Sequence, residues 1–173
     1  MGSLAGIKPE IEVKTGNEPL RGIDIVTWKD GDASYYGLTP NDYADYAWVL
    51  TMPKVMYLEG KFSEPGHIYN VREGKYLGHG NNFKTKLERG SATLLAKLPY
   101  KVLAIKVRGH QKLSLGETGE FHIEVIPGAK ENPGNHVFRV EIMANGKLLS
   151  HYSSNIKTRD GKATYSLPLA LND

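Results

Sequence analysis

The chain has 173 residues, enough for one medium domain or two small ones. Hydrophobic residues make up 40% and charged residues 24%, which predicts a packed core rather than a disordered chain. The net charge of +3 is weak, and Lys and Arg do not cluster, which argues against a nucleic-acid partner. The absence of cysteine excludes disulfides, thiolate metal sites and cysteine nucleophiles. No apolar run approaches the ~20 residues that span a bilayer, so no membrane partner is expected.

In the first part of the chain, strand signals begin only after residue 20. Residues 1–20 are predicted to be an irregular N-terminal segment, with 1–6 resembling an added leader rather than a signal peptide. Residues 23–28 alternate and are rich in β-branched side chains, and Asp30-Gly31 suits a tight turn into a return strand over 32–38.

The next segment has three possible interpretations. Thr39 as N-cap and Pro40 at the first helical position suit a short helix near 40–48. An irregular aromatic loop is equally compatible with the residues, and a strand over 48–52 is also possible.

Further strands are predicted by alternation between turn residues. In the first half these are a strand over 54–59, a turn at 63–66, a hairpin over 67–77, and strands over 83–87 and 91–98. In the second half they are strands over 101–107, 120–126 and 136–143, a turn at Asn145-Gly146 into 147–152, and a last strand over 162–169.

This spacing predicts an all-β fold of two packed antiparallel β-sandwich units, covering 21–100 and 101–173. In the strand over 120–126, Phe121, Ile123 and Val125 are expected to face the core, because side chains alternate between the two faces of a strand.

No catalytic pattern is found. The chain has neither a phosphate-binding loop nor a nucleophile elbow, and its six histidines lack metal-ligand spacing. Acidic residues such as Asp30 and Asp160 are explained by turn chemistry. We therefore expect no enzyme activity, no catalytic residue, no cofactor and no metal.

A cluster of aromatic residues is more informative about function than the search for catalytic motifs. Trp28, Tyr35, Tyr36, Tyr46 and Trp48 lie close together in sequence. Because sugar rings have apolar faces that stack on aromatic rings, these residues are candidates for carbohydrate binding. The alternative interpretation places the same rings in a sandwich core or in a seam between the units.

Two segments carry a family resemblance. Residues 66–78, GHIYNVREGKYLG, form one, and HVFRVE at 136–141, followed by YSSN at 152–155 and PLALND at 168–173, forms the other. They resemble non-catalytic β-sandwich regions that follow the barrel in large bacterial, β-galactosidase-like glycoside hydrolases. Asn70 stands where the pattern has Asp.

The resemblance implies an immunoglobulin- or fibronectin-like second unit that lacks its last strands, with roughly five present. An incomplete sheet would leave an open edge, available for self-association. It also implies export to a secreted, periplasmic or cell-surface location, and a catalytic barrel of a parent protein as partner.

The preferred function is therefore a non-catalytic accessory module of a carbohydrate-active protein, with a structural or positioning role. A carbohydrate-binding module that uses the aromatic cluster and a generic cell-surface interaction domain are the alternatives.

Overall fold

The computed structural model describes residues 9–16, 18–19, 22–40, 53–128 and 132–170. It confirms the all-β class, with antiparallel sheets and no helix in these ranges. The proposed helix near 40–48 and the strand over 48–52 lie largely outside the described residues. The chain divides into two compact units, Met1–Pro99 and Tyr100–Asp173.

The first unit holds one seven-stranded sheet with the order β2-β1-β5-β7-β4-β3, in which β6 also pairs with β5. Its strands are β1 (Ile11–Thr15), β2 (Glu18–Pro19), β3 (Ile23–Asp30), β4 (Ala33–Pro40), β5 (Val55–Asn70), β6 (Lys75–Glu88) and β7 (Thr93–Leu98).

The long strand β5 pairs with different strands along its two halves. Its first half pairs with β1, its last residues pair with β7, and β6 follows it along most of its length. A register shift between Lys61 and Gly66 separates the two halves. Leu58 and Phe62 before the shift, and Ile68 after it, belong to the same buried core cluster. The sheet therefore folds back on itself to enclose that core.

Two predictions about this unit are wrong. Residues 63–66 form no turn, because Ser63 continues the strand and its backbone N–H donates to the Glu10 carbonyl at 3.0 Å. The N-terminal segment is not irregular over Ile11–Thr15, which is strand β1 with Ile11 in the core.

The β3–β4 hairpin forms as predicted around Asp30-Gly31, with Asp30 opposite Ala33. Gly31 has a φ of 58°, a conformation that glycine adopts at little cost. The strand continues through Thr39 and Pro40, which lie opposite Asp24 and Ile23, so no helix begins at Thr39.

The second unit is built from smaller sheets, namely a three-stranded sheet of order β14-β9-β8 and two pairs, β10-β13 and β11-β12. The strands are β8 (Val102–Gly109), β9 (Thr118–Pro127), β10 (Val137–Val140), β11 (Met143–Ala144), β12 (Lys147–Leu148), β13 (Ser154–Lys157) and β14 (Lys162–Pro168). Five of these seven strands have four or more residues.

Local signals in the second unit have mixed outcomes. On β9, Ile123 and Val125 are buried as the alternation predicts. Asn145 and Gly146 both have positive φ and join β11 to β12, as expected of an Asn-Gly turn. The hairpin is only two residues long on each side, however, because β10 pairs with β13 instead.

Candidate functional site

Strand pairing in the first unit lines up aromatic residues on one face of the sheet. Trp28 on β3 lies opposite Tyr35 on β4, and Tyr35 lies opposite Ala96 on β7. Ala96 in turn lies opposite Tyr69 on β5, which lies opposite Tyr76 on β6. Directly opposed residues in an antiparallel sheet share a face. We call Trp28, Tyr35, Tyr69 and Tyr76 the aromatic row.

One end of the row is a stacked pair of rings. The centroids of Trp28 and Tyr35 are 5.6 Å apart and their planes differ by 11°. A Cβ at Gly37 would lie 3.6 Å from Cζ3 of Trp28, an ordinary van der Waals distance, so the stack does not require glycine at this position. Trp28 remains 43% exposed, whereas Tyr35 is half-buried. Burial and the nearby charge of Asp30 raise the pKa of the Tyr35 hydroxyl.

The other end of the row is held by histidine. The Tyr69 and Tyr76 centroids are 5.0 Å apart, and the Tyr76 hydroxyl lies 2.9 Å from Nδ1 of His67. The His67 ring also contacts His79, with centroids 4.5 Å apart. His67 therefore fixes the direction of the Tyr76 ring and adds polar ring nitrogens beside it.

The row crosses five neighbouring strands, β3, β4, β7, β5 and β6. At about 4.8 Å between strands, it spans about 19 Å from Trp28 to Tyr76. Ala96 is buried between the two ring pairs and leaves a low point in the middle of the row. This arrangement suits an elongated ligand with flat apolar faces and polar edges.

A cleft of about 980 Å³ adjoins the row at Tyr76, which is one of its lining residues. Val13, Leu77 and Phe83 supply apolar lining, and all three also belong to the core or pack against it. The cleft is lined by charged residues as well: Glu12, Lys14, Glu59, Lys61, Lys75 and Lys84. Its size is that of a typical small-ligand site.

The sequence-predicted site residues have different outcomes. Trp28 and Tyr35 lie together in the aromatic row, whereas Tyr46 and Trp48 are outside the described residues. The prediction that Tyr36 binds carbohydrate is wrong, because this residue is fully buried in the core. The physical reason is that neighbours in a strand point to opposite faces, so Tyr35 and Tyr36 cannot share one.

Sequence reasoning missed Tyr69 and Tyr76 as site residues. Both lie in the hairpin predicted over 67–77, but they are more than 30 residues from the Trp28 and Tyr35 cluster. Alternation indicates that Tyr69 shares a face with His67. It does not indicate which distant strand lies next to that face.

Tyr36 has a structural role instead. Its hydroxyl donates to Oε1 of Glu10 at 2.9 Å, and Nζ of Lys29 lies 3.3 Å from the same oxygen. Burial, reinforced by the bond to Glu10, raises the pKa of Tyr36 to about 12. The same hydrogen bond lowers the pKa of Glu10 below its usual 4.5.

Replacing Tyr36 by phenylalanine should therefore have a pH-dependent effect on stability. The raised pKa of Tyr36 stabilises the fold below pH 10.0, and this contribution is lost as the pH rises towards about 12. The lowered pKa of Glu10 stabilises it above pH 4.5, and this contribution is lost at lower pH. Urea unfolding of both proteins across pH should show the largest difference near neutrality. A difference that stays constant from acid to alkali would contradict this assignment.

Metal and membrane features add nothing to the site. Within the described ranges, no three His, Asp or Glu side chains are grouped so as to hold a metal ion. In those same ranges, no helix combines the length and hydropathy needed to cross a membrane.

Comparisons with protein-family models, with curated proteins and with solved structures each find no match for this chain. The function must therefore be argued from the geometry of the site.

Proposed function

We propose that this chain is a non-catalytic accessory module of a carbohydrate-active protein, and that it binds carbohydrate through the aromatic row. The observation that carries the proposal is the alignment of Trp28, Tyr35, Tyr69 and Tyr76 on one sheet face. The module would hold a catalytic barrel of its parent protein close to a polysaccharide.

The chemistry of sugars explains why such a row suits them. A pyranose ring presents axial C–H groups on its faces and hydroxyls around its edge. An aromatic ring offers an apolar face with negative partial charge, which attracts those C–H groups. The exposed indole of Trp28 and the rings of Tyr69 and Tyr76 would contact different sugars of one polysaccharide chain, while tyrosine hydroxyls and histidine nitrogens contact the edges.

The distribution of charge agrees with a neutral ligand at this face. On β3, Asp24 and Asp30 share the face of Trp28, whereas Lys29 lies on the opposite face beside Glu10, so this end of the row has no excess of positive charge. The row itself consists of Trp28, three tyrosines and the intervening Ala96, and its neighbouring histidines lie at the Tyr76 end. Neutral plant polysaccharides are therefore the ligand class to test first.

The test is titration calorimetry of the intact chain against a panel of soluble plant polysaccharides. We expect millimolar or tighter binding to at least one neutral member. Trp28→Ala and Tyr69→Ala should each weaken that binding by about fivefold, since one aromatic contact contributes on the order of 1 kcal/mol. Incubation should release no reducing sugar.

Tyr57→Ala is the matched control, because this tyrosine is 77% exposed on β5 but lies outside the row. Its binding should equal that of the unmodified chain. Unfolding curves of all three variants identify any loss of folding. The proposal would be overturned if no polysaccharide of the panel binds, or if folded Trp28→Ala binds as tightly as the unmodified chain.

A further inference from the structure

Strand β8 is one of the two edge strands of the second unit's three-stranded sheet. In the part of the chain that the structure describes, it pairs with β9 on one side and with no strand on the other. The outward backbone N–H and C=O groups of an edge strand are available to pair with another strand.

One face of β8 carries an exposed apolar stripe. Ile105 and Val107 share this face and are 57% and 58% exposed, and Leu103, which lies at a register shift just before them, is 60% exposed. Their neighbours on β9 differ sharply, because Val125 opposite Ile105 and Ile123 opposite Val107 are both buried. The residues that bury Ile123 and Val125 on this face of β9 therefore do not cover the neighbouring side chains of β8.

The other face of β8 is basic. Lys106 and Arg108 are exposed and alternate with the apolar stripe. Lys106 lies opposite Glu124 of β9, but that carboxylate is also 3.5 Å from Nζ of Lys162 on β14. Strand β8 itself contains no acidic residue, so an excess of positive charge lies along this edge.

We propose that β8 binds an extended segment of a partner protein, which adds to the sheet as a further strand and alternates apolar with acidic residues. Backbone hydrogen bonds would form along the open edge. The partner's apolar side chains would cover Leu103, Ile105 and Val107, and its carboxylates would lie beside Lys106 and Arg108 on the opposite face.

The same charges favour such a partner over a second copy of this chain. Two β8 strands paired edge to edge would bring two Lys106–Arg108 pairs onto one face, with no carboxylate from either strand. Like charges on neighbouring strands destabilise pairing. Self-association through β8, which an open edge would allow, is therefore less favoured than binding of an acidic partner segment.

The experiment measures fluorescence anisotropy of labelled peptides that match β8 in length. One peptide alternates valine with glutamate, and the control peptide alternates valine with lysine. The intact chain should bind the glutamate peptide at least tenfold more tightly. Added salt should weaken that binding, because exposed charges are screened.

Charge reversal distinguishes recognition from general attraction. The double variant Lys106→Glu, Arg108→Glu should invert the preference, so that the lysine peptide binds better. The control variant Lys147→Glu, Lys157→Glu changes two exposed lysines of the same unit away from β8 and should keep the glutamate preference. Ile105→Asn should weaken binding of the glutamate peptide while the chain stays folded.

Three results would overturn the proposal. These are the absence of binding by both peptides, equal binding of the two, and an unchanged preference after charge reversal. Sedimentation velocity of the chain alone tests the alternative occupant. Dimers that Ile105→Asn dissociates, and that the glutamate peptide does not displace, would assign the edge to a second copy. Failure here leaves the carbohydrate result untouched, since the aromatic row lies in the other unit.

Discussion

Phe62→Ala is expected to destabilise the first unit by about 3–5 kcal/mol, because it opens a cavity in the centre of the core. The Phe62 side chain is fully buried. Its ring centroid lies 4.7 Å from that of Tyr36 and 4.9 Å from that of Phe83, and Nζ of Lys97 lies 5.5 Å from it. The Phe62 ring therefore contacts residues of β4, β6 and β7.

Urea unfolding, followed by far-ultraviolet circular dichroism, measures this loss. Tyr57→Ala removes an aromatic ring from an exposed position of the same strand and should change the unfolding free energy by less than about 0.5 kcal/mol. If Phe62→Ala does not fold, Phe62→Leu provides a smaller, measurable loss. A change in Phe62→Ala no larger than that in Tyr57→Ala would contradict the assigned core.

Gly60→Ala is expected to destabilise the same unit by about 1–3 kcal/mol, through overpacking rather than through a cavity. A Cβ at Gly60 would overlap the ring of Phe83, which lies opposite it on β6. The ring cannot move freely, because it is buried and also packs against Phe62. The ring or the strand must therefore shift.

The control for this prediction is Gly37→Ala. There a Cβ would lie 3.6 Å from its nearest neighbour, Cζ3 of Trp28, which is an ordinary van der Waals distance. Thermal unfolding should show a lower midpoint for Gly60→Ala and an unchanged or slightly higher one for Gly37→Ala. Adding Phe83→Leu to Gly60→Ala should recover part of the loss relative to Phe83→Leu alone. Equal midpoints for the two glycine variants would contradict the close Gly60–Phe83 contact.

Local signals predicted those elements whose residues interact with near neighbours in the chain. The hairpin around Asp30-Gly31 and the turn at Asn145-Gly146 form where two-residue turn chemistry places them. The buried face of β9 follows alternation alone. In each case the information lies within one strand or one turn.

Local signals failed where pairing between distant segments decided the structure. Residues 63–66, Ser-Glu-Pro-Gly, have turn composition, yet they lie in a register shift within β5. Pairing of β5 with β1 before the shift and with β7 after it holds the segment extended. Tertiary pairing can override such local preferences.

By itself, the sequence determined the all-β class, the two-residue turns and, within each strand, which side chains share a face. Only the tertiary structure decided that Trp28 and Tyr35 lie in line with Tyr69 and Tyr76, and that Tyr36 points into the core between Phe62 and Glu10. The physical reason is that alternation specifies a side chain's face within its own strand. The order and register of the strands depend on contacts between residues far apart in the chain.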